Sequence, residues 1–231
     1  MRPGDWMKPK PDVIDLKPCQ WARWLLRSGE FVVIDSETTG LEDDAAMVSL
    51  AVVESDGTVL FDSLLNPGKP MGATFIHGLT DDDVKDAPTF AQVFPQIRRA
   101  LINRRWVIYN RDYDTARLEY ECRRYGLLYP TPAQYGYTPV PRIKEAYGFS
   151  DRRDDVHCAM LHYADHYGDW SDYHGNYKWQ KLVVAAAREG IATGQAHHAL
   201  GDALTTLNLI QKLAWKEDRE DNDEETDDGA A

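Results

Sequence analysis

The chain has 231 residues, of which 43% are hydrophobic and 28% charged, and its formal net charge is −12. These values fit one domain of generous size, or two small ones, around a packed core, and they exclude wholesale disorder. No apolar run reaches the ~18 residues of a membrane span. Residues 1–17 lack an apolar signal core, and the three scattered cysteines (Cys19, Cys122, Cys158) form neither a zinc spacing nor a disulfide framework, so a reducing, cytoplasmic setting is expected.

A net charge of −12 argues at first against a nucleic-acid partner, because phosphates attract Lys and Arg. The charge is unevenly spread, however. Residues 35–86 carry −10, residues 98–153 carry +6 and residues 216–231 carry −7. The last block has no apolar periodicity and reads as a disordered acidic tail.

In chain order, Pro18 followed by Trp21, Trp24, Leu25 and Leu26 predicts a short amphipathic helix that ends near Gly29. Phe31–Ile34 reads as a buried strand. Val48–Val53 and Thr58–Phe61 read as two more, joined by the turn signal Ser55-Asp56-Gly57. Residues 64–88 read as irregular. Phe90, Val93, Phe94, Ile97 and Leu101 have helical spacing. Trp106–Tyr109 predicts a fourth strand, and Asp112–Tyr125 the helix after it. Residues 129–154 read as a long loop of the kind that carries function. Val156–Tyr167, Trp179–Arg188 and His198–Trp215 read as helices. Strands followed by strand–helix alternation predict an α/β fold, a mixed sheet flanked by helices.

Acidic residues gather at the ends of these elements. Asp35 and Glu37 follow the first strand's apolar run two residues apart, so both face the same way. Two such carboxylates repel each other, and a divalent cation would remove that cost. Exposed strand-end carboxylates would read the same way. Thr38-Thr39-Gly40-Leu41 then turns the chain, with Gly40 suited to positive φ. Asn110-Arg111-Asp112-Tyr113-Asp114 follows the fourth strand. By itself this stretch reads best as a helix start capped by Asn110 or Asp112. Asp202 sits in an otherwise apolar helix, where an Asp is uncommon unless paired or metal-bound. His197 precedes it by five residues and reaches the same site only from the helix mouth. Four carboxylates and a His at element ends are the raw material of a two-metal phosphodiester site.

At these residues the sequence resembles the DnaQ-like, or DEDDh, 3′–5′ exonucleases of the RNase H-like superfamily. Ile34 to Leu41 is similar to the family's first motif, with Ser36 where Thr or Phe is usual. Asn110 to Asp114 is similar to the second, with Tyr109 where His often stands. His197 to Asp202 is similar to the third. His77-Gly78-Leu79-Thr80 resembles a substrate-contacting segment of the family. The resemblance implies a five-stranded mixed sheet and an exonuclease domain over residues 30–215, with residues 1–29 as an extension and about 129–180 as an insertion.

The resemblance also implies roles. Asp35, Glu37, Asp114 and Asp202 would hold two divalent cations, Mg²⁺ or Mn²⁺. His197 would take a proton from the attacking water, and His198 would be a cap or surface residue. Thr38, Thr39, Gly40 and Leu41 would contact the terminal nucleotide, His77 would pack on its base or sugar, and Asn110 would support the site. The expected activity is release of nucleoside 5′-monophosphates from the 3′ end of single-stranded DNA. The alternatives are an exoribonuclease or oligoribonuclease of the same superfamily, and a non-catalytic nucleic-acid-binding or polymerase-associated module. The expected partner is a nucleic acid with a free 3′ end, and no membrane.

His157, His162, His166 and His174 include a pair at zinc-ligand spacing, but without a Glu-flanked pattern they read as core or surface residues. Residues 98–153 interleave eleven Arg and one Lys with eight Tyr, which suits phosphate and base contact. Trp170 and Trp179 read as core.

Overall fold

The computed structural model describes residues 16–130, 156–193 and 198–218. The β-branched run after Gly29 forms the central strand β1 (Phe31–Thr38). It pairs antiparallel with β2 (Met47–Glu54), which pairs antiparallel with β3 (Val59–Leu64). On its other side β1 runs parallel to β4 (Arg105–Ile108), and β4 runs parallel to β5 (Val156–Cys158). The order is β3-β2-β1-β4-β5, a mixed five-stranded sheet.

Eight helices are described around this sheet: α1 (Pro18–Ser28), α2 (Thr74–His77), α3 (Asp81–Val84), α4 (Phe90–Leu101), α5 (Arg111–Arg124), α6 (Ala159–Tyr167), α7 (Leu182–Arg188) and α8 (Ala199–Ala214). Strand side chains alternate between faces, so each face has its own core. Val33, Val53, Val107 and Tyr109 pack with Trp21 and Leu25 of α1, Tyr163 of α6, Ala185 of α7 and Leu207 and Leu213 of α8. Val32, Ile34, Trp106 and Ile108 pack on the other face with Phe90, Ile97 and Leu101 of α4 and Leu118 and Cys122 of α5. The α4 boundary follows from Thr89 and Gln92, which form a capping box. Gly29 ends α1 with a φ of 64°, a conformation that favours glycine.

Several expectations need correction. The helix predicted from Val156 starts at Ala159, because Val156–Cys158 pairs with β4 as the fifth strand. The irregular span 64–88 holds two single turns, α2 and α3. The helix expected from Trp179 starts at Leu182. Trp170 and Trp179 are not core: they are 49% and 65% exposed. Trp170 lies in, and Trp179 just after, a small separate hairpin, β6 (Trp170–Ser171) with β7 (Asn176–Tyr177), which is not part of the main sheet. The extended loop expected after residue 129 and the acidic tail fall almost wholly outside the described residues.

The histidines divide as expected between core and surface. Trp21 Nε1 donates to His157 Nδ1 at 3.3 Å, and the Trp21 ring stacks on His162 with centroids 3.8 Å apart. Burial pushes His157 down to about 4 and His162 to about 3, which keeps both neutral. All three cysteines are free and buried. No described helix is long and apolar enough to cross a membrane.

Candidate active site

The site lies where β1 runs out of its apolar stretch, and strand alternation divides its residues between the two faces. Val33 belongs to the α8 side and Ile34 to the α5 side. Asp35 and Glu37 therefore project toward α8, while Ser36 projects toward α5. On the α8 side Asp202 sits in the first turn of the helix, where its carboxylate suits the helix dipole. Carboxylate oxygens of Asp35, Glu37 and Asp202 lie within 4.8 Å of one another.

On the α5 side, Asp114 occupies the first turn of its helix and is buried. Its Oδ1 accepts a hydrogen bond from Ser36 Oγ at 2.6 Å. Burial, together with the nearby Asp114, Asp202 and Glu37, pushes the Asp35 carboxyl well above the usual carboxylate range. Burial, then Asp202 and Asp114, pushes Glu37 up to about 7. Burial also pushes Asp114 up to about 7, against the pull of its Ser36 hydrogen bonds. The charges of Asp35, Glu37 and Asp202 thus oppose one another at close range, and buried Asp114 adds to that opposition. This is the environment that a divalent cation relieves, and all of its ligands would be hard oxygens, as Mg²⁺ and Mn²⁺ prefer.

The segment after β1 is held by a polar stripe along α5. Tyr113, Arg117 and Glu121 recur every four residues and so share one helix face. The Tyr113 hydroxyl donates to Gly40 O at 2.8 Å. Arg117 donates to the Glu42 and Ala45 carbonyls, and Glu121 Oε1 accepts from Met47 N at 2.9 Å. Tyr113 and Arg117, from the Arg- and Tyr-rich stretch, are here part of the scaffold. Arg117 and Glu121 are buried. Arg123 pairs with Glu119 at 2.6 Å, and Arg111 Nη1 donates to Val156 O at 3.2 Å.

Thr38 and Thr39 are buried, and Leu41 is 72% exposed. Gly40 does not take positive φ as expected. Its carbonyl instead accepts from Thr38 Oγ1 at 2.7 Å as well as from Tyr113. Gly72 N donates to Thr39 O at 2.8 Å, and a Cβ on Gly72 would sit 2.8 Å from that same oxygen, so only glycine allows this approach. His77 is buried, and both of its ring nitrogens are used. Nδ1 accepts from Leu79 N at 3.1 Å, which leaves Nε2 to donate to Thr38 O at 3.0 Å. Asn110 occupies the N-cap position of α5, yet neither it nor Asp112 makes the expected side-chain cap. Asp112 Oδ1 accepts from Arg111 Nε at 3.1 Å. His197 lies outside the described residues; His198 is the exposed N-cap residue of α8.

Ser36, the Tyr113–Arg117–Glu121 stripe and the exposed Phe75 escaped sequence reasoning. Ser36 stood out only as a departure from the usual motif. The Tyr113–Arg117–Glu121 stripe has a visible four-residue period, but charge and ring alone do not tell a scaffold contact from a ligand contact. Phe75, 86% exposed on the same short helix as His77, carries no pattern signal.

Comparison with known proteins agrees with this geometry. A family model described as Exonuclease matches residues 32–210. The chain is 38% identical over 195 residues to the uncharacterized exonuclease CP81 of Escherichia phage 186, covering 83% of this chain and 91% of that protein. It is 33% identical over 112 residues to the PolC-type DNA polymerase III of Bacillus cereus, covering 46% of this chain but only 8% of the polymerase. Among solved structures, the nuclease domain of 3′hExo, a DEDDh family member bound to rAMP, superposes with a TM-score of 0.54 at 16% identity, over 79% of this chain and 90% of that one. Escherichia coli exonuclease I in complex with a dT13 oligonucleotide gives a TM-score of 0.56 at 18% identity, over 79% of this chain and 40% of that one. At these identities the structural likeness concerns the fold.

Proposed function

This chain belongs to the exonuclease family, and from that premise we propose that it is a metal-dependent exonuclease of the DEDDh type that removes nucleoside 5′-monophosphates from the 3′ end of single-stranded DNA. The observation that carries this reading is the convergence of Asp35, Glu37 and Asp202 within 4.8 Å, with Asp114 held beside them by Ser36. Asp35, Glu37 and Asp202 would hold one cation, and Asp35 and Asp114 a second. Bound there, divalent cations would supply an acidified water and charge stabilisation for the leaving oxygen.

The protein's own groups supply the positioning. Ser36 aims the Asp114 carboxylate, and the first turn of α8 presents Asp202. Thr38 to Leu41 would receive the terminal nucleotide, on a backbone braced by Tyr113, by Gly72 and by Nε2 of His77. His77 acts through that brace, as a positioning residue. The exposed Leu41 and Phe75 offer apolar surface to a splayed base. Asn110 supports the same end of the sheet. His197, five residues before Asp202, is assigned the proton of the attacking water on the sequence pattern. Preference for DNA is supported by the relation to a DNA polymerase.

Matched DNA and RNA oligonucleotides, each labelled at the 5′ or the 3′ end, test this reading with Mg²⁺ and with Mn²⁺. Stepwise shortening of 5′-labelled DNA and immediate loss of a 3′ label are expected. Shortening of RNA alone would replace the DNA reading with an exoribonuclease. Loss of a 5′ label as the first product would reverse the polarity. Strand binding without any mononucleotide would make the chain a binding module.

A further inference from the structure

Two aromatic side chains around the β6–β7 hairpin stand in water: Tyr173 is 91% exposed and Trp179 is 65% exposed. With Ser171, His174, Asn176 and Lys178 they line a groove of about 460 Å³. The hairpin is braced rather than loose. Trp170 packs edge-on against Tyr177 with centroids 5.1 Å apart, and Lys178 N donates to Asp169 O at 2.8 Å. A large planar surface on a braced support binds with little loss of side-chain freedom.

The groove is tied to the carboxylate site through the core by the buried Tyr109. Gln180, next to Trp179, accepts at its carbonyl a 2.7 Å hydrogen bond from the Tyr109 hydroxyl. The last parallel pair of these strands is Ile34 with Ile108, and Asp35 and Tyr109 are the residues that follow it. One tyrosine side chain therefore connects the strand end beside Asp35 with the residue next to Trp179. Gln180 is fixed from its far side by Arg188, which donates to Oε1.

We propose that this groove carries the single strand upstream of the scissile nucleotide, with bases stacked on Trp179 and Tyr173. The inference rests on the exonuclease reading above. A polymer whose end reacts at Asp35 must leave the site over a neighbouring surface, and this surface has the chemistry for a single strand. Aromatic faces take any base, which suits an enzyme that reads no sequence. His174 and Lys178 add donors for phosphate oxygens. The Lys178–Asp169 pair is solvent-exposed and weak, so it yields readily to a phosphate.

The test compares wild type with Trp179→Ala, Trp179→Phe and Tyr173→Ala. Fluorescence anisotropy of a labelled oligothymidylate of about fifteen nucleotides, in EDTA, reads binding without turnover, and stacking predicts a loss of about tenfold in affinity for each Ala variant. Trp179→Phe retains most of the affinity. In the presence of metal, the ratio of KM for a dinucleotide to KM for the long strand falls by about the same factor. Unchanged affinity and an unchanged KM ratio overturn the groove proposal, whether or not mononucleotides are released. Failure of wild type to release mononucleotides from either substrate counts against the exonuclease reading, and the anisotropy still decides the groove. If Trp179→Ala instead dissolves a dimer seen by sedimentation and leaves strand affinity intact, the groove belongs to a second copy of this chain and the proposal is wrong.

Discussion

Ser36 Oγ donates to Asp114 Oδ1 at 2.6 Å, joining the central strand to the helix on the opposite face from Asp202. This bond fixes the one acidic residue that arrives from the α5 side. Without it Asp114 keeps its burial but loses a hydrogen bond that favours its charged form. Ser36→Ala is expected to raise the half-saturating Mn²⁺ concentration about tenfold, in the range found when groups supporting metal ligands are removed. Metal titration of activity measures this. An unchanged half-saturation would mean that Ser36 does not position Asp114.

The carboxylate cluster costs stability when no cation is present, because like charges share a buried space. Asp35→Asn removes one of them. It is expected to stabilise the metal-free protein by about 1 kcal/mol while abolishing turnover, a common exchange at active sites. Thermal melts in EDTA at pH 8 provide the check. A lower melting temperature for the variant would contradict the repulsion argument.

The same cluster sets a pH dependence. Glu37 and Asp114 have folded-state values of about 7, against ordinary values of 4.5 and 3.8. Both are raised, so the folded protein holds protons that the unfolded chain has released. Their contribution to stability is present below about pH 4 and is lost as pH rises through about 7. Metal-free protein should therefore melt lower at pH 8 than at pH 5, other groups being equal. Added Mg²⁺ should raise the melting temperature more at pH 8, where it has fewer protons to displace. A metal-induced shift as large at pH 5 would contradict this.

Gly72 passes too close to Thr39 for any side chain, its Cβ position being 2.8 Å from a backbone oxygen. Gly72→Ala must push the turn after β1 aside, and a loss of about 1–3 kcal/mol is expected. Because Thr38 to Leu41 would hold the terminal nucleotide, KM for short substrates should rise as well. Denaturant unfolding and steady-state kinetics measure the two effects. A variant with native stability and KM would show that this approach is not constrained.

Much of this fold was legible because β1 and β2 are continuous apolar runs and α4 is long enough to display its helical period. Val156–Cys158 is only three residues, too short to display one, and its strand identity comes from the edge of β4. The acidic site was legible in part because two residues along a strand put Asp35 and Glu37 on one face. Ser36, on the opposite face, gains its meaning only from Asp114, which arrives from a helix 78 residues away in sequence. Tyr113, Arg117 and Glu121 carried the right spacing, but a sequence does not say what a helix face meets. Size suggests a core place for Trp170 and Trp179, yet they are 49% and 65% exposed. Which side an aromatic residue faces is a tertiary property.

Digestion of a 5′-labelled single-stranded oligonucleotide, with Mn²⁺ and with EDTA, by wild type and by Asp202→Asn, tests the central claim most directly. The carboxylate site predicts a ladder of products shortened from the 3′ end, with free mononucleotide, for wild type with Mn²⁺ alone. It predicts an intact oligonucleotide in EDTA and with the variant. Shortening that persists in EDTA, or with Asp202→Asn folded and metal present, would contradict it.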